Sequence, residues 1–291
     1  MRYTEAVSLR TSAGGADRPR AITRTQLAAG LRRLGLRPGA IAMVHTRMSA
    51  LGWVAGGSEV VVRALLDALG PDGTLVAYAG WQEHVFDPAA WPEEHRAAYL
   101  AEPPVFDPAT GEAARELGRI PERIRTWPGA RRSVHPEASV VAIGPRADRL
   151  TANHPRNDAY GAGTPFARLV DAGGQVLMLG APLRTLTLLH HAEAIAQAPG
   201  KRRVTSVISV AEPGGVVQHT FDDIDTSESA YPFEQLDLGG VDGFEVIARE
   251  ALAAGIGTRG AVGQAQCHLY PARELTKFAV AWIEERFGPT V

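Results

Sequence analysis

The stretch Ile41-Ala42-Met43-Val44-His45-Thr46-Arg47-Met48-Ser49-Ala50-Leu51-Gly52 decides the fold. Its first four residues form a continuous apolar run, the pattern of a strand covered on both faces. From His45 onward the chain turns polar and ends on glycine, as a strand-to-helix loop requires. Upstream, Thr23-Arg24-Thr25-Gln26 has the hydroxyl-to-Gln spacing of a capping box. Leu27, Leu31 and Leu34 follow at helical spacing, and Gly35 stops the helix. Downstream, Ser58 reads as the cap of a second helix whose inner face is Val61, Ala64, Leu65 and Ala68. Gly70-Pro71-Asp72-Gly73 then turns the chain into a strand from Thr74 to Tyr78. Helix, strand, helix, strand argues for an α/β sheet.

Gly80 to Glu122 breaks this alternation. It is long, rich in Pro, Trp and acids, and weakly periodic. Segments of that length inside a compact domain are typically functional or lid-like. Order returns with strands at Ser139–Ile143 and Gln175–Leu179, and with a helix from about Leu186 to Ala198. Val204–Val210 and Val216–Phe221 flank the turn Glu212-Pro213-Gly214-Gly215 as a hairpin. Amphipathic helices at Val241–Ala254 and Ala272–Phe287 enclose a strand near Ala265–Leu269. The expected architecture is one α/β domain over residues 21–291. Its mixed central sheet is flanked by helices, carries an antiparallel hairpin on one side, and is interrupted by a long irregular acidic insertion. Residues 1–20 read as a flexible extension without the apolar stretch of a secretory signal.

Composition narrows the function classes. The 291 residues carry 30 Lys+Arg against 32 Asp+Glu, a formal charge of −2, which argues against a dedicated nucleic-acid binder. Forty-five per cent hydrophobic and 21% charged residues are ordinary for a soluble globular protein. No apolar run approaches the roughly 18 residues of a membrane helix. One cysteine, Cys267, excludes an intramolecular disulfide and any Cys-rich metal site, and fits a reducing cytoplasm.

Four segments carry candidate chemistry. In Leu189-His190-His191-Ala192-Glu193, His190 and Glu193 share one helical face. A carboxylate one turn from an imidazole fixes its tautomer and makes it a general base. A solvated polar stripe has the same spacing, and His-x-x-Glu also supplies two ligands of a metal site that would need others from elsewhere. Arg131-Arg132-Ser133-Val134-His135-Pro136 suits a phosphate or a basic surface loop. His45 to Gly52 sits where α/β sheets bind ligands, yet it is neither a Walker A loop nor Gly-x-Gly-x-x-Gly, so ATP and NAD are not indicated. Asp222-Asp223-Ile224-Asp225 with Glu228, and Asp87, Glu93, Glu94, Glu102, Asp107 and Glu112, are solvated acidic loops or a field for a polycation.

Taken in order, these segments resemble the aminoglycoside 3-N-acetyltransferase family, outside the GCN5-related acetyltransferase fold. The likeness covers the chain from about Thr23 to its last helix. It rests on His45-Thr46-x-x-Ser49-x-x-Gly52, Gly70-Pro71-x-Gly73-Thr74, Phe106-Asp107-Pro108, Arg132-Ser133-x-His135-Pro136, Thr164-Pro165 and Leu189-His190-x-Ala192-Glu193. Thr46-Arg47 replaces the family's usual serine pair.

The resemblance implies transfer of an acetyl group from acetyl-coenzyme A to the 3-amino group of the 2-deoxystreptamine ring, giving antibiotic resistance. It implies His190 and Glu193 as the catalytic pair, with His135 the second candidate base. Thr46, Arg47, Ser49, Leu51, Gly52, Arg132, Ser133 and Val134 would hold coenzyme A. Trp81, Asp107, Glu193, Asp223 and Asp225 would hold the cationic drug. No metal is expected, and the partners are the aminoglycoside alone, with no nucleic acid or membrane, in a cytoplasmic monomer or homodimer. Other outcomes are an acyltransferase for another amine, a metal-dependent amidohydrolase using His190, Glu193, His135 and an Asp, and a drug-binding protein without turnover.

Overall fold

The computed structural model describes residues 21–82, 91–227 and 229–288. The expected extension over residues 1–20 and the acidic positions Asp87 and Glu228 lie outside them.

The first half folds as its sequence pattern requires. Thr23 caps α1 (Arg24–Leu34) with a complete capping box, and Gly35 ends it at φ 115°, in the left-handed region that suits glycine. Then come β1 (Ile41–Thr46), α2 (Gly57–Leu69) and β2 (Thr74–Tyr78). The cap of α2 is Gly56 rather than Ser58, which falls inside the first turn.

The segment expected to be irregular is not wholly so. It contains α3 (Glu93–Ala101), β3 (Val105–Phe106) and the start of α4 (Arg119–Arg125). Short elements with few buried residues leave weak periodicity, because α3 buries none of its side chains. Beyond it lie β4 (Arg131–Arg132), β5 (Val140–Ile143), α5 (Ala147–Thr151), α6 (Pro165–Asp171) and β6 (Gln175–Leu179). Next are α7 (Leu188–Ile195), β7 (Arg203–Glu212), β8 (Gly215–Ile224) and α8 (Gly243–Ala253). The chain closes with β9 (Thr258–Val262), β10 (Ala265–Pro271) and α9 (Ala272–Phe287).

Seven strands form a mixed sheet in the order β4-β5-β2-β1-β6-β10-β9. β1 pairs parallel with both β2 and β6, while β5 and β10 run antiparallel to their inner neighbours. Alternation along β1 sends Ile41 and Met43 into one apolar cluster and Ala42 and Val44 into the other. Helices α1, α2 and α4 cover the second face; α6, α7, α8 and α9 cover the first. The chain leaves β1 toward β2 on one side and reaches β6 on the other. The carboxyl end of β1 is therefore the point where strand order reverses, the place where such sheets open a ligand crevice.

The hairpin does not join this sheet. β7 and β8 pair over ten residues each and take β3 as a parallel neighbour, giving a separate three-stranded sheet. Trp81, Phe106, Ile208, Val210 and Phe221 form a small apolar cluster that packs it against the strand ends.

Arg132 stitches the junction. Its guanidinium donates to Ser139 Oγ at 3.0 Å, to the Ala79 carbonyl at 2.8 Å and to the Gly111 carbonyl. It also lies over the Phe106 ring at 5.1 Å. Burial pulls its pKa down to about 10. Arg132→Ala would leave these acceptors unpaired, and we expect it to lower Tm by about 5–10 °C while KM for acetyl-coenzyme A measured below the transition stays unchanged. A normal Tm with a raised KM would return Arg132 to the ligand site.

Candidate active site

The crevice predicted by strand order is present. A cleft of ≈ 660 Å³ opens at the ends of β1 and β2, lined by His45 to Ser49, Tyr78, Glu116 to Arg119, and Ala181, Pro182, Arg184, Thr185 and Thr187. Thr187 immediately precedes α7, and its carbonyl accepts the His190 N–H.

His190 and Glu193 are brought together as their spacing requires. His190 Nδ1 donates to Glu193 Oε2 at 2.7 Å, and the second oxygen of Glu193 accepts the Ala230 N–H at 2.9 Å. Glu193 has no exposed side-chain surface, whereas the His190 side chain keeps 17%. The carboxylate is thus sealed from solvent and accepts from two donors. It fixes the tautomer with the proton on Nδ1 and leaves Nε2 as the basic nitrogen. The ring is seated between Tyr160 and Phe244, at centroid distances of 5.1 and 4.8 Å. His191 points the other way, donating from Nδ1 to the Tyr160 carbonyl at 2.6 Å.

His135 occupies a different environment. It is 2% exposed, its Nδ1 accepts the Ala138 N–H, and Nε2 donates to the Arg156 carbonyl at 3.2 Å. Both nitrogens meet main chain, and Nε2 also lies 3.9 Å from the Asp223 carboxylate.

The loop after β1 divides. Thr46, Arg47 and Ser49 line the cleft. Leu51 does not: it is fully buried, and its carbonyl accepts the Gln264 N–H. Gly52 packs on the Gln264 side chain, where an added Cβ would come within 2.6 Å. Ser133 is fully buried too, its hydroxyl shared between the Val140 N–H and His154 Nδ1. Val134 is half exposed on the surface. Arg132 and Ser133 thus spend their polar groups on the fold, and a basic motif read from spacing alone does not reveal this.

The acidic candidates also separate. Asp107 accepts from Ala109 N–H and Thr110 Oγ1, which hold its carboxyl below the usual range and shape a turn. Asp223 is 4% exposed and accepts the Ala159 and Ile224 N–H groups; burial pushes it up to about 6. Asp225 is half-buried and accepts from Ser227. Trp81 is 5% exposed within the junction cluster.

The structure adds detail at the loop after β1 and brings in arginines that had no sequence signal. His45 Nε2 and Thr46 Oγ1 are buried without a hydrogen-bond partner among the described residues. Burial drives His45 down to about 4, so its imidazole is neutral. A trough adjoins the cleft through Arg47, Ala181, Pro182 and Arg184, and adds Arg249, Arg259 and His268. Arg249 is paired with Glu245. Gly180 at its floor has φ +70°, and a Cβ would meet Ala50 and Ala265 at 2.9 Å. Among the described residues, no group of three or more His, Cys, Asp or Glu is arranged to hold a metal ion. No described helix is long and apolar enough to cross a membrane.

Comparison with known proteins agrees with this geometry. Residues 43–284 match the model of the aminoglycoside 3-N-acetyltransferase family. The chain is 49% identical over 268 residues to aminoglycoside N(3)-acetyltransferase VII of Streptomyces paromomycinus, covering 92% of this chain and 93% of that protein. Its fold superposes on the crystal structure of aminoglycoside acetyltransferase AAC(3)-Xa with a TM-score of 0.89 at 46% identity, over 93% of this chain and 95% of the other. It superposes on AAC-IIIb in binary complex with CoASH with a TM-score of 0.83 at 42% identity, over 94% and 100%. With nearly the whole length matched in sequence and in fold, the chain belongs to the aminoglycoside 3-N-acetyltransferase family.

Proposed function

We propose that acetyl transfer takes place at the inner end of the β1–β2 cleft, with His190 as general base and Glu193 as its partner. As a member of its family the chain transfers the acetyl group of acetyl-coenzyme A to the 3-amino group of the 2-deoxystreptamine ring of aminoglycosides, which confers resistance. The observation that carries the mechanistic reading is the 2.7 Å hydrogen bond from His190 Nδ1 to a carboxylate sealed from solvent.

An ammonium group has no lone pair for a thioester carbonyl. Nε2 of His190 removes one proton, and Glu193 stabilises the resulting imidazolium. The free amine attacks the carbonyl carbon. Collapse of the tetrahedral adduct breaks the carbon–sulfur bond, the departing thiolate takes the proton from Nε2, and the freed Nε2 accepts the second proton of the attacking nitrogen and passes it to solvent, leaving the neutral amide. Transfer is direct: Cys267 has no exposed surface, and burial raises its thiol pKa, which disfavours the thiolate an acyl carrier needs.

The donor enters over Thr46 and Ser49. The amides of its pantetheine arm satisfy His45 Nε2 and Thr46 Oγ1, the buried polar atoms of the cleft wall. Its phosphates lie against Arg47 and Arg184, where the cleft meets the arginine trough. The aminoglycoside, a polycation, takes the acidic side, where Glu116 lines the cleft and Asp225 lies beyond Thr226. The donor is a cytoplasmic metabolite, and the enzyme works there as a monomer or homodimer without nucleic acid or membrane.

His190→Ala is expected to lower kcat about 100- to 10,000-fold with KM for acetyl-coenzyme A within about twofold of the parent. Thiol release across a panel of aminoglycosides measures this, with streptomycin as the control because it lacks 2-deoxystreptamine. Near-parental turnover would remove His190 as the base. Arg47→Ala and Arg184→Ala should each raise KM for acetyl-coenzyme A about tenfold with kcat little changed, and the penalty should shrink as salt is added. An unchanged KM in both would move the phosphates elsewhere.

A further inference from the structure

We propose that Glu137 is a positioning residue for the transfer: its buried carboxylate holds the groups that seat His190 and stabilises the imidazolium that forms there. The inference rests on His190 as the base.

Glu137 is 6% exposed and follows β4 in the sequence, close to the packed His135. Its Oε1 accepts from Thr226 Oγ1 at 2.9 Å and lies 3.4 Å from the Tyr160 hydroxyl. Its main-chain carbonyl accepts from the Tyr78 hydroxyl at 2.9 Å, and the two tyrosine oxygens are 3.4 Å apart. One residue thus ties together the cleft wall, through Tyr78, and the support of the base, through Tyr160.

Tyr160 holds α7 at two points. Its ring packs on the His190 imidazole, and its carbonyl takes the His191 Nδ1–H. It has no surface to move toward, being 1% exposed and packed on Phe166. A small displacement of Tyr160 therefore displaces the catalytic ring.

The second part is electrostatic. Among the ionisable groups facing this carboxyl are His190 on α7 with Glu193 behind it, Asp223 on β8, Tyr160 ahead of α6 and Tyr78 at the end of β2. Burial pushes Glu137 up to about 7, against the Thr226 hydrogen bond; Asp223 adds to the rise and the His190 charge opposes it. The coupling to His190 is reciprocal. As the imidazole gains a proton from the amine, ionised Glu137 lowers the cost of the charge, adding to Glu193.

Glu137→Gln keeps the shape and an acceptor for Thr226 but removes the charge. We expect Tm close to the parent, KM for acetyl-coenzyme A unchanged, kcat about tenfold lower, and the acid limb of kcat/KM moved about one unit to lower pH. Thr226→Val removes the hydrogen bond that holds Glu137 down, so the carboxyl titrates higher and the acid limb should move in the same direction but by clearly less than in Glu137→Gln. A Glu137→Gln enzyme with parental kcat and pH profile overturns the proposal. So does a Thr226→Val enzyme whose limb moves as far as that of Glu137→Gln. If Glu137→Gln fails to fold, Glu137→Asp carries the test by NMR titration of ¹⁵N-labelled histidine. Retention of the parental His190 titration with reduced kcat supports the proposal, and a displaced titration overturns it. His190→Ala, assayed in parallel, separates the outcomes: near-normal turnover there refutes the base assignment whatever Glu137 does.

Discussion

The site depends on how one buried carboxylate is satisfied. Glu193 lies under the sheet face with no solvent to hydrate it, and an unpaired charge there would cost several kcal/mol. Two donors remove that cost: the His190 imidazole, from its own helix, and the Ala230 amide, from the chain beyond the three-stranded sheet. α7 is only eight residues long and has no side-chain cap, so its own hydrogen bonds contribute little. What fixes it is this pairing, the Tyr160 carbonyl on His191 and the packing against α9. Catalytic geometry and local stability therefore rest on the same contacts.

The sheet explains where the cleft opens. β1 sits between parallel neighbours reached in opposite directions, and its carboxyl end is left uncovered. The loop after β1 contributes Thr46, Arg47 and Ser49 to the opening and then drops Leu51 into the core. A stretch of six residues thus serves binding at one end and packing at the other.

That division marks what the sequence makes legible. The first four elements were readable because apolar spacing, the Thr23 capping box and Gly35 all point the same way. His190 and Glu193 were readable because residues three apart on a helix meet whatever surrounds them. Arg132, Ser133 and Asp223 read as ligand contacts because hydrogen-bonding groups look alike in sequence whether they face a ligand or a main-chain carbonyl. Only the tertiary structure shows Arg132 spent on Ala79, Gly111 and Ser139, residues 53, 21 and 7 positions away. Glu137, Arg184 and Arg259 carry no periodicity or motif and gain meaning from the elements folded against them. The separate sheet of β3, β7 and β8 was hidden for a related reason: β3 is two residues long, too short for any alternation to register.

Charge is sorted across the cleft in a way the net value of −2 conceals. Arg47, Arg184, Arg249 and Arg259 line the trough with Glu245 the one carboxylate among its lining residues, whereas Glu116 and Arg119 line the cleft together. In the proposed arrangement the phosphates of the donor are drawn to the arginine trough. The arrangement also protects the chemistry. A polycation is disfavoured at the arginine trough, and in the proposed mechanism its amine meets His190 between Tyr160 and Phe244. Orientation then comes from long-range charge, and the final placement of the nitrogen from short-range contacts around His190. Aminoglycosides that differ in ring substituents would share the first influence and differ in the second, so discrimination among them belongs to the few side chains nearest the base rather than to the acidic field.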